Sequence, residues 1–332
     1  MADADRVPAG RRLVLVGCTG AGKSAVALTL AERLDGEIVG ADSRQIYRGL
    51  TVGTAAPDEA ARAGIPHHFV AFLDPGEVYS AGRFGREARA RVAEIEARGK
   101  AAVIVGGSGL YLRALLEGLF EGPARDPAVR ARLHARLREE GLPSLREDLR
   151  RVDPEALAGI LPGDSVRVVR ALEVWLLTGR PISALRRERP AVPLAAPMFG
   201  IRWPRELLAK RIEARVHAQM KEGFLAEARR LMERGLPEDA PGMRTLGYAE
   251  LIRHLRGGPS LGEAVAEVIL RTRRLAKRQE TWFRRLPGID WFAVSSEEDL
   301  SRVPERIAER WRGARATLGM SLINRNVPPA AR

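Results

Sequence analysis

Gly17-Cys18-Thr19-Gly20-Ala21-Gly22-Lys23-Ser24 is the stretch that decides the fold. It fits G-x-x-x-x-G-K-[ST], follows the apolar run Leu13 to Val16 and precedes the helix-like stretch Ala25 to Leu34. Strand, glycine loop, helix is the context the motif requires. The glycines let backbone N–H groups turn inward around an anion, and the helix N-terminus adds its partial positive charge. Lys23 supplies a point charge to terminal phosphates, and the Ser24 hydroxyl is a candidate Mg²⁺ ligand. The loop identifies a phosphate chain without saying whose.

Outward from the loop, a short strand Glu37 to Gly40 ends in Ala41-Asp42-Ser43, and helix-like Arg83 to Arg98 leads into the apolar strand Ala101 to Val105. Strands and helices alternating at this spacing predict an α/β fold, a P-loop doubly wound, mostly parallel sheet with helices on both faces. Ligands of such sheets gather at the carboxyl ends of the strands. From Glu117 to Pro193 no strand is evident, and Arg/Leu/Ala/Glu-rich segments punctuated by Pro143, Pro154 and Pro162-Gly163 read as an all-helical insertion. The expected domains are a core of residues 1–116 and 195–332, interrupted at 117–194. Phe199 to Trp203 returns to the sheet, long helices follow at Arg205 to Arg234 and Gly262 to Arg285, and the tail Asn324 to Arg332 is expected to be disordered.

A nucleotide hydrolase usually ends a later apolar strand on an acid that organises Mg²⁺. Here Ala101 to Val105 runs into Gly106-Gly107-Ser108-Gly109 with no carboxylate. The most economical acid is Asp42, at the end of the second strand. That shifts the reading away from NTP hydrolysis.

The 332 residues are 45% hydrophobic and 29% charged, enough for a substantial core. The longest uncharged runs, Ala101 to Leu112 and Pro190 to Ile201, fall short of the ~20 residues needed to span a bilayer. Met1 to Arg12 has no apolar signal segment, so a cytoplasmic protein without membrane association is expected. A single cysteine, Cys18, excludes an internal disulfide framework and a cysteine-cluster metal site. A net charge of +13 predicts a polyanionic partner, with nucleic acid foremost. Only five of the 55 basic residues are Lys, so Arg-rich composition can account for part of this charge.

The run Asp42-Ser43-Arg44-Gln45-Ile46-Tyr47, followed by Gly53-Thr54, resembles the tRNA dimethylallyltransferase (tRNA isopentenyltransferase) family. The likeness continues through Gly106 to Tyr111, Arg167 to Val174, Arg211 to Arg215, Leu246 to Tyr248 and Leu275 to Gln279, covering roughly residues 11 to 295. Several motifs in order are far more specific than one phosphate loop. The resemblance implies that residues 17–24 (Gly17, Cys18, Thr19, Gly20, Ala21, Gly22, Lys23 and Ser24) cradle the pyrophosphate of dimethylallyl pyrophosphate. The acceptor it implies is the exocyclic amine of the adenosine 3′ of the anticodon, presented by a tRNA anticodon stem-loop. Lys23, the loop amides and Mg²⁺ would then act on the leaving group. Asp42 matches the general base, which an adenine amine needs because its lone pair is delocalised into the ring.

By the same resemblance Thr19 and Arg215 contact the pyrophosphate or shape the channel; without it, Arg215 reads as a surface charge on an amphipathic helix. Asp42, Ser43, Arg44 and Gln45, with Gly247 and Tyr248, correspond to the grip on a flipped adenosine and its neighbours. Tyr248 is a candidate to stack on a base, or else a core tyrosine. Ser108 and Arg130 match tRNA-touching positions, Arg167 and Arg170 lie in another contact segment, and Arg244 is assigned with them. Arg271 to Arg285 carries basic residues on two sides of one helix, among them Arg273, Lys277 and Arg278, next to Gln279. Those sides are expected to serve anionic ligands.

Three residues depart from the family pattern. Cys18 stands where Pro is usual, Val166 where a polar residue precedes Arg167, and Ala249 where a basic residue often follows Tyr248. The competing readings are an isopentenyltransferase acting on free adenine nucleotides, a P-loop kinase or ATPase, and a non-catalytic RNA-binding protein. The insertion and basic helix argue against the first, the missing strand-end acid against the second, and Lys23 with Asp42 against the third. A monomer is the expected state.

Overall fold

The computed structural model describes residues 10–119, 122–123, 126–188 and 193–323. The expectation for the tail Asn324 to Arg332 lies outside them. Along the chain run β1 (Arg12–Gly17), α1 (Lys23–Arg33), β2 (Gly36–Gly40), α2 (Glu59–Gly64), β3 (His67–His68), α3 (Ala81–Ala97), β4 (Ala101–Gly106) and α4 (Gly109–Leu116). Five helices follow: α5 (Pro127–Glu139), α6 (Gly141–Val152), α7 (Pro154–Ala158), α8 (Ser165–Thr178) and α9 (Ile182–Arg187). The chain then forms β5 (Met198–Arg202), α10 (Arg205–Lys221), α11 (Phe224–Glu233), α12 (Tyr248–Leu255), α13 (Leu261–Phe283), β6 (Ile289–Ala293) and α14 (Glu297–Ile323). It divides into two compact units, residues 1–116 with 194–332 and residues 117–193.

The first unit holds one parallel sheet in the order β3-β2-β4-β1-β5-β6. Because side chains alternate along a strand, Leu13 and Leu15 pack on one face with Val26, Leu30, Val303 and Ile307, under α1 and α14. Val14 and Val16 pack on the other with Phe84, Tyr111, Phe224 and Val268, under α3, α4, α11 and α13. This is the doubly wound arrangement the alternation predicts. The chain leaves β1 for β2 on one side and reaches β5 on the other, so the crevice opens at the carboxyl ends of the central strands.

Two strands were not legible in the sequence. β3 has only two residues, and β6 mixes Asp290 among apolar neighbours; each is fixed by pairing, β6 residue for residue with β5. The helix expected over Arg205 to Arg234 is broken at Gly223, whose φ of 98° ends α10 and starts α11. No helix among the described residues is long and apolar enough to cross a membrane.

Helices are the only regular elements among the described residues of the second unit, and they pack around Leu133, Leu145, Leu149, Val168, Leu172 and Val174. Asp126 caps α5 and Asp164 caps α8, each accepting a first-turn amide.

Candidate active site

β1 ends at Gly17, and the loop that follows returns to the helix register through Gly20 at φ 81° and Gly22 at φ 89°. Gly22 is the N-cap of α1, and a Cβ there would meet Leu300 Cδ2 at 2.5 Å, so both backbone angle and space demand glycine. The loop is braced from behind. Arg211 Nε donates to the Gly20 carbonyl at 3.0 Å, stacks its guanidinium over Trp203 and pairs with Glu297. Trp203 Nε1 donates to the Ala21 carbonyl at 3.1 Å. Gln279 ties two loops together: its Oε1 accepts from the Thr19 amide at 2.8 Å while its Nε2 donates to the Gly107 carbonyl at 2.9 Å.

The loop after β2 is stitched to the loop after β4. Ser108 Oγ accepts from the Ser43 amide at 2.9 Å and lies 3.1 Å from Ser43 Oγ. Asp42 Oδ1 accepts from the Arg44 amide at 3.0 Å, and Asp42 lines the same cavity as the phosphate loop. Gln45 Nε2 donates to the Thr54 and Ala55 carbonyls. Arg215, on α10, donates to the Thr54 carbonyl at 3.3 Å.

Lys23, Ser24, Asp42, Gln45, Ser108 and Arg215 line one cavity of about 650 Å³, with Thr272, Leu275 and Gln279. Lys23 Nζ donates to the Cys18 carbonyl at 2.8 Å. Burial pulls its pKa down to about 8, against the opposing pull of Asp42. Burial also lowers Arg215 and Arg44 from the usual arginine range, again with Asp42 acting to hold them charged. Lys23, Arg44, Arg211 and Arg215 line the cavity against the carboxylates Asp42, Glu222 and Glu297, and this leaves it net positive by one charge, suited to a polyanionic leaving group. A metal here would draw on Ser24 Oγ at the start of α1 and on substrate phosphate oxygens, since the described residues hold no cluster of three metal-binding side chains. That donor set fits Mg²⁺, which commonly keeps one or two protein ligands plus phosphate and water.

Several assigned residues sit differently from expectation. Tyr248 takes the core position: its ring is fully buried edge-on to Phe224, and its hydroxyl donates to Glu227. Gly247 is packed against the same Phe224 ring and is likewise part of the core. Gln279 is engaged in bracing the two loops. Arg130 and Arg170 grip the fully buried Glu173 at 2.8 and 2.7 Å, a three-residue ion cluster within the helical unit. Arg167 is exposed beside Asp164, and Val166 next to it is exposed as well. Arg244 is exposed in the turn before α12.

On α13 the two basic sides adjoin rather than oppose, at 100° per residue. Arg271 pairs with Glu250 and Glu267, Arg273 with Glu213, and Arg284 with Glu280. Arg274, Lys277 and Arg278 on α13, and Arg285 in the turn just after it, are exposed without an ion pair among the described residues, the three on the helix sharing one stripe. Cys18 places its thiol 3.3 Å from the Ala276 carbonyl of α13, and burial raises its pKa. The sequence reading missed Arg211, although its i, i+4 spacing from Arg215 puts both on one helix face. It missed Gln219 and Glu227 altogether.

A family model described as IPP transferase matches residues 45–286. The chain is 46% identical over 291 residues to a tRNA dimethylallyltransferase of Geobacter metallireducens, covering 87% of this chain and 94% of that one. It is 45% identical over 309 residues to one of Anaeromyxobacter dehalogenans, covering 90% and 98%. Among solved structures it resembles the tRNA isopentenylpyrophosphate transferase of Bacillus halodurans, with 34% identity, a TM-score of 0.66 and coverage of 93% of this chain and 99% of that one. A eukaryotic dimethylallyltransferase captured acting on tRNA matches with 25% identity, a TM-score of 0.72 and coverage of 90% and 77%.

Proposed function

Because this chain belongs to the IPP transferase family, we infer that it transfers a dimethylallyl group from dimethylallyl pyrophosphate to tRNA, releasing pyrophosphate. The observation that carries the mechanism is the convergence of Lys23, Asp42 and Arg215 on one cavity at the mouth of the phosphate loop. The acceptor is the N6 amine of the adenosine 3′ of the anticodon, extruded from the stacked anticodon stem-loop at the expense of a few kcal/mol.

In the transfer the allylic C–O bond breaks and its electron pair leaves with pyrophosphate. The adenine nitrogen forms the new C–N bond and gives its proton to Asp42. Lys23, the loop amides and Arg215 meet the charge growing on the leaving oxygens. Mg²⁺, held by Ser24 and the pyrophosphate, would add Lewis-acid stabilisation of the same charge. Asp42 suits the base because among the described residues its carboxylate has a single hydrogen bond, to the Arg44 amide.

The unpaired stripe Arg274, Lys277 and Arg278, with exposed Arg285 and Arg244 in the same unit, supports phosphate contacts to a large RNA; a free nucleotide needs none of them. A monomer acting in the cytoplasm on tRNA completes this reading. Incubation with dimethylallyl pyrophosphate, total tRNA and Mg²⁺, followed by digestion and mass measurement of the nucleosides, tests the assignment. A prenylated adenosine next to the anticodon is expected; prenylation of free adenine nucleotides alone would sink it.

A further inference from the structure

Glu227 lies on α11 with only 4% of its surface exposed, and no ion pair reaches it among the described residues. Its charge is met by four donors instead. Oε2 accepts from the amides of Thr51 and Val52, and Oε1 from the amide of Gly53, each at 3.0 Å; the Tyr248 hydroxyl also donates to Oε1. Three consecutive backbone N–H groups turned onto one anion form the kind of concavity that elsewhere binds phosphate. Here a protein side chain fills it. Gln219, buried on α10, completes the clasp by donating to the Val52 and Gly53 carbonyls at 2.6 and 3.2 Å.

The turn so held needs holding. Ala55 has φ 48°, a left-handed conformation unfavourable to a residue with a Cβ. Gly53 is pressed so tightly against Phe224 and Tyr248 that a Cβ would lie 2.1 Å from the Phe224 ring. The turn faces the reaction cavity, because Gly53, Thr54 and Ala55 all line it. Its Thr54 carbonyl receives both Arg215 and Gln45, one assigned to the leaving group and the other to the acceptor base.

We propose that Glu227 is a positioning residue for the transfer: its buried carboxylate shapes the 51–55 turn, and through the Thr54 carbonyl that turn sets where Arg215 stands relative to the pyrophosphate. The role requires a carboxylate. Both oxygens are used by two donors each, so a glutamine of the same shape would turn an N–H₂ group toward two of those donors; the Tyr248 hydroxyl can rotate to accept from it, but a backbone N–H cannot, and at least one amide of the turn is left unpaired in the interior.

The test is a double-mutant cycle between Glu227→Gln and Arg215→Ala, read as single-turnover transfer with saturating donor and as affinity for inorganic pyrophosphate. Glu227→Gln alone should slow transfer by about 10- to 100-fold, the scale of one misplaced electrostatic contact. It should also weaken pyrophosphate binding, while tRNA affinity stays within a few-fold. In the Arg215→Ala background the same substitution should add less than about threefold, because coupled residues are not additive. Equal losses in both backgrounds would show that Glu227 only stabilises the fold, and an unchanged rate in the single variant would overturn the proposal outright. Should Glu227→Gln not fold, Tyr248→Phe removes one of the four donors and is read in the same cycle. A loss that disappears without Arg215 supports the role; a loss that persists overturns it. Pyrophosphate affinity is measured without tRNA, so its outcome is independent of which acceptor the enzyme modifies.

Discussion

Asp42, at the exit of β2, has one hydrogen bond to its carboxylate, from a neighbouring amide, whereas Glu227, on α11, has both oxygens occupied by four donors. Asp42 shares the cavity wall with Gln45, Thr54 and Arg215, and Glu227 holds the 51–53 amides of the same turn. One faces the cavity and the other is sealed behind the turn. A carboxylate that keeps lone pairs open to the cavity can accept a proton from a substrate. One whose lone pairs are all taken by fixed donors can only hold geometry. Side-chain type does not separate these roles; the number of protein donors does.

The comparison breaks first at Asp42. Asp42→Asn keeps the shape and the Arg44 hydrogen bond but cannot take the proton, so single-turnover transfer should fall by at least ~10², the lower end of what a general base contributes. Affinities for tRNA and donor should stay within a few-fold. A titration with Mg²⁺ separates the alternative: rescue of the variant by added metal would mean that Asp42 organises the ion instead.

Lys23→Ala should come next, lowering the rate by about 10² through loss of leaving-group stabilisation, with tRNA still bound. Its pKa near 8 gives a sharper test. For the free enzyme, kcat/KM for the donor should fall as pH rises through about 8, when the ammonium loses its proton, and Lys23→Arg should move that limb upward. An unmoved limb would reassign the titration. Stability runs the other way: between about pH 8 and the ordinary lysine value near 10.5 the unfolded chain binds more protons than the native one, so this residue's contribution to stability rises with pH across that window.

Thermal or denaturant unfolding then separates the two acids. Glu227→Gln leaves at least one buried amide unpaired and should cost roughly 1–3 kcal/mol, whereas Asp42→Asn should change stability by less than about 1 kcal/mol. Similar losses at both sites would erase the distinction drawn between them. The smallest effect belongs to the stripe on α13. Arg278→Glu should weaken tRNA binding several-fold across tRNA sequences and flatten the salt dependence, without changing which base is modified. A log–log slope near zero in the unaltered protein would show that its charge is compositional.

The sequence by itself determined the phosphate loop, the doubly wound sheet, the helical insertion and the place of Asp42 just past the second strand. Each of these is written in neighbouring residues: glycine spacing, apolar runs of strand length, a strand that stops at an acid. What it left open were contacts between ordinary residues far apart in the chain. Gln279 reaches Thr19 across 260 positions, and Glu227 reaches Thr51 across 176. Neither glutamine nor glutamate carries a local pattern that announces its partner. Tyr248 was ambiguous for the same reason, since a tyrosine next to a glycine reads alike whether it faces RNA or the core. Only packing resolved it, by closing Phe224 over the ring and giving its hydroxyl to a buried carboxylate. The basic helix shows the same limit: Arg271, Arg273 and Arg284 are indistinguishable in sequence from Arg274 and Arg278, and the acids that neutralise the first two across the fold lie on α12 and α10. Periodicity fixes which way a side chain points, but the partner waiting there is set by how the helices pack.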